Sequence, residues 1–397
     1  MSKHLAPPDE AGIAAAVAAA TAAREPLAIE GNGSKRALLR PVQAARTLTT
    51  RALTGITLYR PSELILSARA GTTLPEIEAA LAEHGQMIAP EPPDTRAIFG
   101  SDRHATIGGI VATNLSGPRR ITVGAMRDHV MGVRFVNGVG EVQRSGGRVL
   151  KNVTGLDLCK LLSGSYGTLG VLTEVTIKVL PAAEASATLA VAVADTPAGV
   201  RALSAGLTSP FGVTGAALLP DGEAAGLAGP VALLRIEDFR PSVTYRAAQL
   251  REALAAFGTV TLIEGHASRA LWRAVRDAAP LGATAEDAIW RVSVRPSAAP
   301  ALAATLQAAF GARLLFDWGG GLIWVAGPAT NAAHDTVTAA AAVSHGSCTL
   351  FRGPEPLRAA VAVLPPEAPA LAAISQRVKA ALDPAGVLNP GRMRAGL

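Results

Sequence analysis

Fourteen of the chain's forty glycines fall between residues 100 and 170, about twice the average density. The stretch "HATIGGIVATNLSGPRR" (residues 104–120) shows the pattern: two adjacent glycines, one asparagine, a Ser-Gly-Pro turn and two arginines, with little of the polar surface of a solvent-facing loop. Glycine gives up side-chain packing and is entropically costly to order, so such a concentration implies a backbone that something approaches closely. At 397 residues the chain exceeds one ordinary core, and two domains with a small appendage are expected.

The composition excludes several classes of partner. The formal charge of +6 invites a nucleic-acid reading, but only six of the 37 cationic residues are lysine, and no dense Lys/Arg run with interleaved aromatics occurs. A mildly positive surface suits small anions or an acidic partner. With two distant cysteines, Cys159 and Cys348, the chain by itself holds neither a structural zinc nor an iron–sulfur cluster. The Ala-rich run from Ala11 follows Asp9 and Glu10, which suit the first turn of a helix and not the basic start of a signal peptide. No stretch has the sustained hydrophobicity of a membrane span, and a soluble, cytoplasmic protein with reduced thiols is expected.

Periodicity changes near Pro181. Before it, "ELILSARAGTTLPEIEAALAEHGQMIAPEPP" reads as strand, a helix capped at Thr72 or Thr73, a stop at Gly85 and a second short strand; "VRFVNGVGEVQ" reads as a hairpin turning at Asn137-Gly138. After it, six strand-like runs alternate with Ala-rich helical stretches (residues 245–257 and 298–310), which predicts an antiparallel sheet with helices on one face. The tail "AISQRVKAALDPAGVLNPGRM" reads as a helix ending near Asp383-Pro384, then an Asn-Pro-Gly turn. The expected divisions are 1–181, 182–369 and a returning segment, 370–397.

The usual phosphate motifs are absent. There is no GxxxxGK[ST] run; "GNGSKR" from Gly31 has Arg36 where a dinucleotide fingerprint needs its third glycine, and "GSYGTLG" from Gly164 has the wrong spacing. Phosphate can also be held by successive backbone N–H groups in a nest. "EGNGSK", after the apolar run "PLAI", offers small side chains and one lysine for that purpose, although an ordinary strand-to-loop turn has the same pattern.

Together, "ATIGG", "KNVTGLDLCKLLSGSYGTLGVLTEVTIKVLP" and "LDPAGVLNPGRM" resemble the PCMH-type FAD-binding superfamily, the fold shared by vanillyl-alcohol oxidase, p-cresol methylhydroxylase and FAD-linked D-lactate dehydrogenases. "GQMIAPEPPD", "SGPRR", "GGRVLKNVTGLDL", "IWRVSV", "DWGGGLIWV" and "NPGRM" extend the resemblance along nearly the whole chain, toward the FAD-binding subunits of glycolate oxidases. The resemblance implies an α+β fold: a two-subdomain FAD-binding domain, an antiparallel-sheet-plus-helices cap, and a C-terminal segment returning to the flavin. Gly31, Asn32, Gly33, Ser34 and Lys35 would wrap the pyrophosphate. Ala105, Thr106, Ile107, Gly108 and Gly109 would run beside it, with Asn114, Ser116 and Arg119 continuing that wall and Pro90 in a neighbouring loop. Lys151, Asn152 and Gly155 would lie near the flavin. Gly164, Ser165, Gly167, Gly170 and Val171 would hold the adenosine part, and Asn389 would approach the isoalloxazine.

With neither His nor Cys in the phosphate loop, FAD is expected to be noncovalent. The seven histidines include no HxH or HxxH spacing, so neither a metal nor a catalytic base is assigned; His104 and His129 flank the flavin segments, and loop fillers look the same. Arg235, Arg291 and Arg295, on cap strands, could grip a carboxylate or form surface ion pairs. The implied activity is oxidation of glycolate to glyoxylate, with electrons passed on. The implied partners are a catalytic FAD-linked subunit and an iron–sulfur subunit, and a peripheral seat at the inner membrane through them. The alternatives are an auxiliary electron relay and a cofactor-free assembly subunit, with the catalytic flavin on a partner chain.

Overall fold

The computed structural model describes residues 3–147 and 156–396. They form two compact units: Met1–Ser116, Gly124–Ala182 and Ala362–Leu397 make one, and Gly117–Val123 with Ala183–Val361 make the other. The short excursion at 117–123 has no counterpart in the expected divisions.

In the first unit, β1 (Lys3–Leu5), β2 (Leu27–Glu30) and β3 (Arg46–Thr49) form a parallel sheet in the order β1-β3-β2. The helix Glu10–Ala23 starts where its sequence says it should, because Asp9 accepts the N–H of Gly12. It buries Ile13, Val17 and Ala20 against Leu27, Leu48, Val387 and Leu388. Beside these elements stand β4 (Ile56–Arg60), β5 (Ile65–Arg69), β6 (Gln86–Met87), β7 (Val130–Val136), β8 (Val142–Gly146), β9 (Val171–Lys178) and β10 (Leu180–Pro181). Five of them form an antiparallel sheet, β4-β5-β9-β7-β8, and β10 pairs with β6. The helices Leu74–Ala82 and Ile107–Thr113 pack on this sheet's core. The first has its capping box, with Glu76 accepting the N–H and hydroxyl of Thr73.

The hairpin between β7 and β8 does not turn at Asn137-Gly138. The loop runs from Asn137 to Glu141, closed by the Asn137 N–H on the Glu141 carbonyl, and its left-handed residue is Gly140 at φ +86°. Gly138 serves packing instead, since a Cβ there would run into Asp383.

The second unit is built on one antiparallel sheet of β11 (Ala185–Ala192), β12 (Gly215–Leu219), β13 (Val231–Asp238), β14 (Thr259–Glu264), β15 (Asp287–Ser293), β16 (Arg313–Asp317), β17 (Leu322–Pro328) and β18 (Ser347–Arg352). Its order is β14-β11-β13-β12-β16-β17-β15-β18. The helix Thr196–Thr208 lies against Leu218 and Leu234, with Gly199 and Gly206 giving it close approach. On the opposite face, Trp272 from the helix Gly265–Arg276 lies over Arg235. Helices therefore reach both faces and not one, which is why the central strands are buried along most of their length instead of alternating. No helix among the described residues is long and apolar enough to cross a membrane.

Candidate cofactor site

Residues 31–35 follow β2 directly. The N–H groups of Gly31, Asn32, Gly33, Ser34 and Lys35 donate to no protein acceptor among the described residues, nor do those of Ala105 and Thr106. Gly33 is in the left-handed region at φ +75°, which lets consecutive N–H groups converge. The two segments touch: a Cβ on Gly31 would run into Thr106 Oγ1, and the Asn32 amide donates to the His104 carbonyl at 3.2 Å. The loop is braced from behind, Thr49 Oγ1 holding the Gly31 carbonyl and Arg392 donating to the carbonyls of Lys35 (3.1 Å), Arg36 (3.1 Å) and Arg40 (3.2 Å). Arg36 is held in a two-pronged pair with Glu30 (2.5 and 2.6 Å).

Burial pushes the Lys35 ammonium down to about 8, against the pull of Asp94. In the adjoining turn Thr95 Oγ1 is buried with no protein partner among the described residues, and Pro90 is buried nearby in sequence. A half-buried cation, which donates to Ser34 Oγ at 3.5 Å, stands with an orphaned hydroxyl and a row of open N–H donors. That is the chemistry a dinucleotide pyrophosphate needs, so the residues fit FAD.

Other expected residues have protein partners. Gly108 donates to the Ala70 carbonyl at 2.9 Å, and a Cβ there would stand 2.7 Å from Ala70 Cβ, so its glycine allows close packing of helix on strand. Ile107 donates to Thr72, while Gly109 donates to the capping Thr106. Asn114 ends that helix at φ +48° and accepts the Arg127 N–H; Ser116 accepts that of Met126. Gly164, at φ +86°, donates to Val111, and the Ser165 hydroxyl to Leu162. Gly167 leaves room for Asn389, Gly170 for the Phe135 ring, and Val171 opens β9 buried. Asn389 accepts from Ile29 and donates to Ile29 and Tyr166, so its amide is fully used by the protein. Arg119 is a correction to the expected wall: it lies in the second unit, forked onto Glu237 at 2.7 and 2.8 Å. Lys151, Asn152 and Gly155 lie outside the described residues.

The sequence reading missed Arg392, Thr95 and Lys379. Lys379 is half-buried, bonded to Asp383 (2.6 Å) and to the carbonyls of Thr168 and Leu388. Only the "NPGRM" turn hinted at Arg392.

Histidine chemistry is dispersed. His84 stacks edge-on to Tyr59, His334 accepts from Trp290 at 3.1 Å, and His104 lies 3.4 Å from Arg96. No group of three His, Cys, Asp or Glu that could hold a metal occurs among the described residues.

The cradle has the donors that an FAD-binding domain needs. Residues 3–146 match the FAD binding domain family. The chain is 36% identical over 374 residues to glycolate oxidase subunit GlcE of Escherichia coli (strain K12), covering 94% of each. It therefore belongs to the GlcE family of FAD-linked oxidoreductase subunits. Glycolate oxidase subunit GlcD of Bacillus subtilis (strain 168) is 31% identical over 149 residues, 38% of this chain and 30% of that one. The structure of p-cresol methylhydroxylase shares the fold, with a TM-score of 0.73 at 13% identity over 98% of this chain and 88% of that one.

Proposed function

We propose that this chain is the FAD-binding subunit of a multi-subunit glycolate oxidase, taking part in oxidation of glycolate to glyoxylate and passing electrons to partner subunits. The observation that carries this is the length of the GlcE match, which includes the cap sheet as well as the FAD domain. FAD, when bound, supplies the two-electron redox centre. The chain's own residues hold its pyrophosphate: the amides of residues 31–35 and the Lys35 ammonium, with Arg392 fixing the loop.

Electrons must leave to another protein. Cys159 and Cys348 are both buried thiols, and burial pushes Cys348 to about 12, so this chain offers no thiolate set for a cluster. An iron–sulfur partner, and through it a peripheral seat at a membrane, belong to the same reading. A second reading, an electron relay beside a catalytic partner, is favoured by the dispersed histidines, because removing the substrate's hydroxyl proton needs a base within hydrogen-bond reach. A cofactor-free assembly role has no support from a cradle that keeps its open donors.

The test begins with the chain purified alone. It should be yellow and release its flavin into the supernatant on acid precipitation, because the phosphate loop contains no His or Cys for a covalent link. Colour retained on the pellet would show a covalent bond. Anaerobic glycolate is then added to the chain and to its complex. Bleaching of the isolated chain within seconds makes it the dehydrogenase, bleaching only in the complex supports the relay, and bleaching in neither rejects glycolate as substrate.

A further inference from the structure

The two larger sheets end in four edge strands, and three of these carry a feature that blocks further pairing. β4 bulges at Thr57, between Ile56 and Leu58, and β18 bulges at Phe351, between Leu350 and Arg352. β8 has Arg144 at its centre. Bulges and charged side chains are the devices by which an edge avoids accepting another strand. β14 has neither along its length. Its six residues, Thr-Val-Thr-Leu-Ile-Glu, pair with β11 in unbroken register, from Thr259 opposite Ala192 to Glu264 opposite Ala187, and the only charge is at the last position. Thr259, Thr261 and Glu264 are exposed, and Leu262 is 39% exposed. Among the described residues, 259–264 make no hydrogen bond beyond the ladder to β11, so the outward row of N–H and carbonyl groups is open.

The helix Gly265–Arg276 follows β14 directly and packs on β14 and β11, burying Ser268, Leu271, Trp272 and Val275. His266, Arg269 and Arg273, three and four positions apart, share one side of this helix and are exposed. The helix contains no Asp or Glu. Arg276 is paired at 2.7 Å with Asp277 just beyond the helix end, whereas Arg269 and Arg273 have no ion pair among the described residues. The apolar face is occupied by the sheet, so the basic side is not the polar half of a helix embedded in a lipid surface.

An open strand edge recognises an extended backbone, and a cationic row beside it selects the charge of the side chains that this backbone carries. We propose that β14 and the helix Gly265–Arg276 form a docking site for an extended acidic segment of a partner subunit. The segment adds to the eight-stranded sheet beyond β14, with its carboxylates toward Arg269 and Arg273. A second copy of this chain fits poorly. Antiparallel pairing of β14 with itself is built on a two-fold axis normal to the sheet, which sets the two arginine-bearing helices on the same face with no carboxylate on either. The open edge belongs to the cap sheet alone; that its occupant is a partner subunit rests on the multi-subunit reading above.

The test compares the full chain alone with the complex it forms with its co-expressed partner subunits, by hydrogen exchange resolved to residues 259–264. Assembly is then titrated for Leu262→Lys, which puts a charge on the open edge, and for the double reversal Arg269→Glu/Arg273→Glu. Arg251→Glu, on the exposed side of another cap helix, is the charge-matched control. Tm and FAD content check that each variant is folded. The edge amides should exchange at least about tenfold more slowly in the complex, because they gain hydrogen-bond partners. Leu262→Lys and the double reversal should each weaken assembly by about tenfold or more, and the control should not. Salt should weaken the parent complex more than that of the double reversal. Edge amides that exchange equally fast with and without the partners would overturn the site, as would normal assembly of both variants. A dimer of the isolated chain that Leu262→Lys abolishes would give the edge to a second copy. Capture by phosphatidylserine vesicles that only the double reversal abolishes, with the edge amides still open, would give the basic side to a membrane surface. Either result overturns the proposal. A parent chain that forms no complex at all would reject the multi-subunit reading, and the occupant with it.

Discussion

Asn389 and Ile29, 360 residues apart, are joined as two strands would be: Ile29 donates its N–H to Asn389 Oδ1 at 2.7 Å, and Asn389 Nδ2 donates to the Ile29 carbonyl at 3.2 Å. The same Nδ2 reaches the Tyr166 carbonyl at 2.8 Å, and the Asn389 N–H reaches Leu27 at 3.0 Å. One amide thus clips the C-terminal turn, β2 and the 163–169 turn together, one residue from the strand end that launches the phosphate loop. Asn389 itself sits at φ +44°, a conformation asparagine tolerates better than most residues.

Asn389→Ala should therefore cost about 2–4 kcal/mol, from a buried N–H and two carbonyls losing their partner and from alanine in a left-handed conformation. FAD should dissociate faster, because the loop loses its rear support. Urea unfolding and a flavin-release time course check both. An unchanged midpoint would mean that the clip is incidental.

Lys35 makes FAD affinity depend on pH in a defined direction. Its folded value, about 8, is below its ordinary 10.5, so without an anion the folded chain bears an unfavourable, half-buried charge below pH 8. That cost is relieved as pH rises from about 8 to 10.5, where the unfolded state holds the extra proton; stability of the FAD-free chain should rise across that window. FAD binding runs the other way, since pyrophosphate favours the ammonium. The Kd for FAD should weaken as pH climbs above 8, by at most about tenfold per unit for one proton, and Lys35→Met should flatten the profile. A parent profile as flat as the variant's between pH 7 and 9.5 would place Lys35 outside the cofactor's field.

Two glycines of the cradle should fail differently. Gly33 has φ +75° and its missing Cβ would meet only the Arg36 guanidinium at 3.1–3.4 Å, a movable group. Gly33→Val should lose FAD retention while costing the fold about 1–2 kcal/mol, the penalty of a left-handed L-residue. Gly108→Val instead drives a side chain into the Ala70 backbone oxygen, 2.9 Å from the first carbon, and should destabilise the chain with or without FAD. Thermal melts with and without FAD separate the two. Equal behaviour would refute the distinction.

That contrast also shows how much could be read in advance. The cap at Asp9 and the box at Thr73–Glu76 are local signals, and the sequence carries them openly. The open amides of residues 31–35 belong to small residues that directly follow an apolar strand, which is also a local signal. A glycine's purpose is not local. Gly108 and Gly170 make room for Ala70 and Phe135, and Gly138 makes room for Asp383 from the far end of the chain, contacts that no local pattern announces. Arg119 reads as part of the "SGPRR" wall until Glu237, 118 residues away, is found in its grip. Arg120 and Arg291 likewise stand over the Trp318 ring, a meeting of three elements that no periodicity announces.

The last prediction concerns the ion pair that steadies the 117–123 excursion. Burial by itself would raise the Glu237 carboxyl, but the charge of Arg235, the hydrogen bond and charge of Arg119 and the Thr214 hydroxyl hold it at about 2. A carboxyl lowered on folding contributes stability that is present above its ordinary value of 4.5 and lost as pH falls from there toward 2. Glu237→Gln leaves two guanidinium groups without their shared counter-charge, one of them on the buried Arg235, and should cost about 3–5 kcal/mol at neutral pH. The cost should shrink as the parent is acidified through that window, because the parent then loses the same charge. Chemical denaturation at pH 7, 4.5 and 3 measures the gap, and a gap that stays constant with pH would assign the stabilisation to packing of Glu237 and not to its charge.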